Sequence, residues 1–255
     1  MEVTDRHERV AGVETHWLQA GDAPVLYVHG VPTASFQWLP MLERAGGVAP
    51  DLPGFGSSGK PADFGYSIAG LGSFLESFVD ALGLERFSLV VHDWGSVGLD
   101  LAQRRPERVE KLLVLSAVPL LPGYRWHRVA RGWRTPLLGE LMMGATTRWA
   151  LRRELPRDLA DRAWEQFDHG TQRAILKLYR ASPPEVLARA GERLAEVGCP
   201  ALVVWPTRDP YIGPEFGAAY ADALGGSAEL EMVDAGHWLW HDRPEIVGRV
   251  ASFLG

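Results

Sequence analysis

The sequence predicts an α/β protein with a mostly parallel central sheet, helices on both faces and one helical insertion. Three observations predict it. Short, wholly apolar runs recur along the chain. Amphipathic segments separate them. A long stretch in the second half holds helical patterns and no convincing strand. Apolar runs this short read as strands buried on both faces, and strand–helix alternation places them parallel.

The runs are Val25–Val28, ending at His29-Gly30; Ser88–Val91, ending at His92-Asp93; Leu112–Leu115; Ala201–Trp205; and Leu230–Val233. Between them, Ile68–Leu82 repeats apolar residues at Leu71, Phe74, Leu75, Phe78, Val79 and Leu82, the spacing of one helix face, before Gly83 stops it. Gly95–Arg104 predicts a second helix, ended before Pro106. Glu215–Leu224 and Pro244–Phe253 predict two more. Residues 120–197 break the rhythm with helical patterns, Trp and Arg. The 255 residues therefore divide into a core, 1–119 and 198–255, and a helical cap, 120–197.

Composition excludes several classes. Hydrophobic residues make up 46% and charged residues 23%, ordinary for a globular chain. The net charge of −6 and the lack of a basic stripe argue against nucleic acid. A single cysteine, Cys199, forbids an internal disulfide and reads as a small buried hydrophobe just before a strand. No apolar run reaches the ~20 residues that span a bilayer. The polar start, Met1–Arg6, is not a signal peptide. These points predict a cytoplasmic protein with no membrane partner. No spacing of His, Cys and carboxylates predicts a metal, and no cofactor is expected. The glycine-rich loop Asp51–Gly59 lacks the Gly-Lys-Ser/Thr ending of a phosphate loop and reads as a tight turn.

The chemistry begins at Val90-Val91-His92-Asp93-Trp94-Gly95-Ser96. A strand ends, one polar residue follows and a helix starts at once, the spacing of a nucleophile elbow. Gly95 fits the second small position; Val91 departs from the glycine often found at the first. The central residue is Asp93. A carboxylate can displace a leaving group from saturated carbon, giving an alkyl ester that water then cleaves. Alone, Asp93 would read as a helix N-cap; the remaining motifs favour the nucleophile. Ser96, three residues on, makes a serine esterase a weak rival.

His237 follows Gly236 after the last apolar run and is placed to activate water. His241, four residues on, reads as structural. Asp209 follows the preceding run and would orient His237, although Asp before Pro210 also forms turns. The order nucleophile, acid, histidine is that of α/β-hydrolases. The other place for the acid, after Leu115, offers Ser116-Ala117-Val118 and no carboxylate. His29-Gly30-Val31-Pro32 bends the chain toward the elbow, and the N–H groups of Val31 and Trp94 are placed to hold an oxyanion.

Together, His29-Gly30-Val31-Pro32, Asp51-Leu52-Pro53-Gly54-Phe55-Gly56, His92-Asp93-Trp94-Gly95, Asp209 and Gly236-His237 resemble the epoxide hydrolase and haloalkane dehalogenase branch of the α/β-hydrolases. The resemblance covers nearly the whole core. It implies an Asp93–His237–Asp209 triad and a small apolar substrate bearing an epoxide or a carbon–halogen bond. Similar epoxide hydrolases use one or two cap tyrosines as proton donors; Leu178-Tyr179-Arg180 matches the motif of one, and Tyr124 is the candidate second. Similar dehalogenases hold halide with the Trp beside the nucleophile, here Trp94, and often with an Asn after His-Gly, here Val31. Trp126, Trp133, Trp149 and Trp164 remain as replacements for that donor, and Trp-rich packing implies an apolar substrate. Val91 and Ser96 look more like dehalogenases. The expectation is an epoxide hydrolase, with a dehalogenase as runner-up and a non-catalytic binding protein on the same fold as the rival of another class.

Overall fold

The computed structural model describes residues 1–255. The strands are β1 (Val3–Val10), β2 (Val13–Ala20), β3 (Val25–Val28), β4 (Gly47–Pro50), β5 (Phe87–Asp93), β6 (Val109–Ala117), β7 (Ala201–Pro206) and β8 (Ala228–Val233). They form one sheet in the order β1-β2-β4-β3-β5-β6-β7-β8. From β4 to β8 the strands are parallel, and the β1–β2 hairpin pairs antiparallel with itself and with β4. The apolar runs β3, β5 and β7 are buried along their whole length, as strands covered on both faces must be.

Alternation along the strands sorts side chains into two cores. Leu26, Val28, Leu89, Val91, Val203 and Trp205 join one cluster with α2 (Ile68–Ala81), α3 (Gly98–Arg104) and α10 (Glu215–Ala223). Val25, Tyr27, Val90, Leu202 and Val204 join the other with α1 (Leu39–Ala45), α11 (Leu239–Asp242) and α12 (Glu245–Leu254).

Between β6 and β7 lie α4 (Arg128–Arg134), α5 (Leu138–Gly144), α6 (Arg148–Glu154), α7 (Arg157–Glu165), α8 (His169–Ala181) and α9 (Pro184–Ala190). A core side chain holds each end of this insertion. The Tyr220 hydroxyl donates to the Val118 carbonyl and accepts from the Leu120 N–H, at 2.7 and 2.9 Å. The Gln103 amide donates to the Ala190 carbonyl at 2.8 Å and accepts from the Arg193 N–H at 3.0 Å. No helix is long and apolar enough to cross a membrane.

The structure differs from the expected elements in three places. The run Leu230–Val233 belongs to β8, which closes the sheet edge; Leu230 and Met232 are exposed, so it is not buried on both faces. The helix expected from Gly95 starts at Gly98, after a 3-10 turn over Trp94–Val97 that tightens the exit from β5. Strands β1, β2 and β4 carry no apolar run of the expected kind. Cys199 is only partly buried.

Candidate active site

β5 delivers Asp93 at φ +51°, ψ −124°, a conformation costly for any residue with a side chain and persistent only where its surroundings impose it. The Val118 N–H binds the Asp93 carbonyl at 2.9 Å and fixes the bend. Glycines on both sides allow it. A Cβ on Gly95 would lie 2.1 Å from the Val28 carbonyl oxygen, and one on Gly30 would lie 2.5 Å from Asp93 Cβ. The Val31 N–H donates to Asp93 Oδ1 at 2.8 Å.

His237 stands on the loop after β8. Its Nε2 is 3.5 Å from Asp93 Oδ2, and its Nδ1 donates to Asp209 Oδ2 at 2.6 Å. Asp209 is held by the Ser116 hydroxyl and, at 2.7 and 3.1 Å, by the N–H groups of Tyr211 and Ile212. Beneath these three residues, His92 Nε2 donates to the His237 carbonyl at 3.0 Å and its ring packs against Trp238 and Trp240.

Burial works against charge here, and the partners decide which groups keep it. Desolvation alone would lower the His237 pKa, but the carboxylates of Asp209 and Asp93 override it and raise the value to about 10. Burial pushes Asp209 up, but His237 and Ser116 bring it to about 2. Asp93 is likewise lowered, against burial, by His237, His92 and the Val31 N–H. His92 is buried without a carboxylate partner and falls to about 3, so it stays neutral. Burial raises the phenol of Tyr179 well above its ordinary value, and the Asp93 charge raises it further; Tyr124 shifts the same way.

These groups open into a cavity of about 330 Å³ between the sheet and the insertion. The core contributes Val31, Pro32, Asp93, Tyr211 and His237; the insertion contributes Tyr124, Trp126, His127, Trp133 and Tyr179, among others. Neither the Tyr179 nor the Tyr124 hydroxyl donates to a protein acceptor, and the Trp94 N–H faces the Tyr179 oxygen. Tyr179 is wedged among Trp94, Trp126 and Trp133, with ring centroids 5.0, 4.8 and 5.1 Å away.

Three residues expected to touch substrate lie behind the cavity wall. His29 is fully buried; its Nε2 accepts from the Leu52 N–H at 2.9 Å and its Nδ1 donates to the Gly30 carbonyl at 2.8 Å, so it braces the turn. Gly30 supplies clearance for Asp93. Trp94 is fully buried under Tyr179 and Trp126, and its indole N–H, beside the Tyr179 hydroxyl, completes no hydrogen bond of normal geometry. Trp126 spends its N–H on the Ser182 carbonyl at 2.8 Å. Trp149 and Trp164 are exposed. The sequence reading missed Tyr211, whose ring packs edge-on to His237 and against His127, and whose hydroxyl donates to Glu154 of α6. Its position two residues after Asp209 was the available signal.

The model of the alpha/beta hydrolase family matches residues 25–250. The chain belongs to the alpha/beta hydrolase family. It is a hydrolase of that fold. A haloalkane dehalogenase of Mycolicibacterium paratuberculosis is 30% identical, over 99% of this chain and 91% of the relative. One of Bradyrhizobium diazoefficiens is 29% identical, over 100% and 95%. Among solved structures, the haloalkane dehalogenase DbeA from Bradyrhizobium elkani USDA94 superposes with a TM-score of 0.85 at 28% identity, covering 99% of this chain and 98% of the other. The epoxide hydrolase CorEH superposes at 0.84 with 19% identity over 99% and 98%, a likeness of fold alone.

Proposed function

We infer that this hydrolase opens epoxides to vicinal diols through an ester on Asp93. Asp93 attacks a ring carbon, a C–O bond to the carboxylate forms and the ring C–O bond breaks. The alkoxide takes the Tyr179 proton, with Tyr124 as second donor. Esterification removes one of the two anions that keep His237 protonated, so its proton passes to the phenolate and leaves a neutral base. His237, oriented by Asp209, then takes a proton from the water that attacks the ester carbonyl, and the Val31 N–H holds the oxyanion. Asp93 is regenerated as the diol leaves. The insertion serves as the cap that excludes bulk water.

One observation carries this reading: two phenols whose O–H groups have no protein acceptor line the cavity that Asp93 enters. The donors a halide needs are less well presented. Val31 has no side-chain donor, Trp126 is engaged, and the Trp94 N–H lies behind Tyr179, which leaves Trp133 as the candidate donor on the cavity wall. A dehalogenase with the same triad is the second reading, favoured by relatives that carry that name at 29% and 30% identity. In it, Trp94 would reach the halide after a shift of Tyr179.

A paired assay tests the two. Epoxides are offered with detection of diol, and haloalkanes with detection of halide. Diol without halide is expected. Halide without diol overturns the epoxide reading, and silence in both arms removes the displacement chemistry altogether.

A further inference from the structure

The exposed apolar side chains are concentrated in one stretch of the chain. Nine large ones are exposed, and five of these, Val129, Leu137, Leu138, Leu141 and Trp149, fall in the stretch 129–149 of the insertion. Leu137 is 84% exposed and Leu141 69%. Leu137 also sits at φ +67°, ψ −47°, a strained geometry for a leucine, at the start of α5. A clustered apolar surface of this kind marks a contact site.

Its surroundings are cationic. Residues 120–153 hold seven arginines and one acid, Glu140, whose carboxylate is engaged by Arg180 at 2.7 and 2.8 Å. Arg148 and Arg152 pair with Asp161. Arg125, Arg128, Arg131 and Arg134 form no ion pair, and Arg153 lies over the Trp149 ring at 4.8 Å. The whole insertion, 120–197, has 14 Lys and Arg against nine Asp and Glu, on a chain whose net charge is −6.

We propose that α4, α5 and the start of α6 dock this hydrolase on the surface of a bilayer bearing anionic lipid. Leucines entering the headgroup–acyl boundary, flanked by arginines facing anionic headgroups, are the two signals that peripheral binding combines. A second copy placed symmetrically on this face would bring the arginine rows against each other. The same helices turn Val129, Trp133, Met142 and Trp149 toward the cavity. Docking therefore sets the wall of the cavity against the lipid, where apolar substrates partition. The earlier expectation of no membrane partner rested on spanning length, which surface docking does not need. The proposal is independent of the chemistry at Asp93.

Vesicle co-sedimentation at low salt tests it, with the whole protein and vesicles of phosphatidylcholine alone or mixed with phosphatidylglycerol. Sedimentation with the mixed vesicles, reversed by salt, is expected. Leu137→Ser with Leu141→Ser should abolish it. Arg128→Gln with Arg131→Gln should weaken it by about fivefold per arginine. Both pairs are exposed, and an unchanged melting temperature verifies folding. No binding to the mixed vesicles, or binding indifferent to both double variants, overturns the proposal. So does a concentration-dependent dimer, seen by sedimentation velocity without vesicle binding, that the leucine variant abolishes; the patch would then be a subunit interface.

Discussion

Replacing Tyr179 with phenylalanine removes one oxygen atom and keeps the ring. That ring is what packs against Trp94, Trp126 and Trp133, so the aromatic contacts survive. The hydroxyl donates to no protein acceptor, and the donor that faces it, the Trp94 N–H, already lacks a hydrogen bond of normal geometry, so little is lost with the oxygen. Stability should therefore change by less than about 0.5 kcal/mol. The cost to chemistry is larger. A positioned acid contributes at least about 10²-fold, which is about 2.7 kcal/mol of barrier. The burst of Asp93 alkylation by an epoxide should slow by that factor, while calorimetry finds a melting temperature within about 1 °C of the parent. The same substitution should cost haloalkanes much less, because halide departs as a stable anion and needs no proton. An epoxide rate within about twofold of the parent, in a protein of unchanged melting temperature, would refute the reasoning.

His237→Gln should stop the cycle at the ester. Intact mass of Asp93-modified protein then rises by the full substrate mass for an epoxide, but by the substrate less hydrogen halide for a haloalkane; no adduct with either defeats the covalent route. Stability should depend on pH through the same histidine. Its folded pKa of about 10 lies above the ordinary 6.5, so its stabilisation is complete below about pH 6.5. It is lost as pH climbs toward 10, by at most about 1.4 kcal/mol per pH unit. Urea midpoints across that range should show the fall and Asp209→Asn should flatten it; identical slopes would count against the pairing. Gly30→Ala places a Cβ 2.5 Å from that of Asp93, so alkylation should drop by about tenfold or more as the carboxylate is displaced, with a stability cost of about 1–3 kcal/mol. A parental alkylation rate would show that the turn can yield.

What could be read from the sequence follows from how each element is buried. β3, β5 and β7 have protein on both faces and announce themselves as unbroken apolar runs. The β1–β2 hairpin at the far edge carries a largely exposed, wholly polar run, Thr4-Asp5-Arg6-His7-Glu8, and hides among polar segments. β4 has four residues and its pairing comes from neighbours distant in sequence. Asp93, Asp209 and His237 were legible because each lies at or after the end of an apolar run, and the sheet brings the ends of such runs together. The wall of the cavity was not. Which way a tryptophan of the insertion points depends on helix packing, so Trp126 turned inward and gave its N–H to Ser182 while Trp149 borders the cavity and stays largely exposed. Trp94 was expected at the surface of the site because it adjoins Asp93; the 3-10 turn carries it beneath Tyr179 instead.

The anchors at the two ends of the insertion have a consequence for evolution and for engineering. Tyr220 grips the chain as it leaves β6, and Gln103 grips it as it returns. Both belong to helices of the core. The segment between the two grips is thus a cassette. A lineage, or a designer, can exchange it for another of different length and shape without moving the residues around Asp93. A new cavity shape would then arise by transplant, while the arrangement of Asp93, Asp209 and His237 is inherited intact.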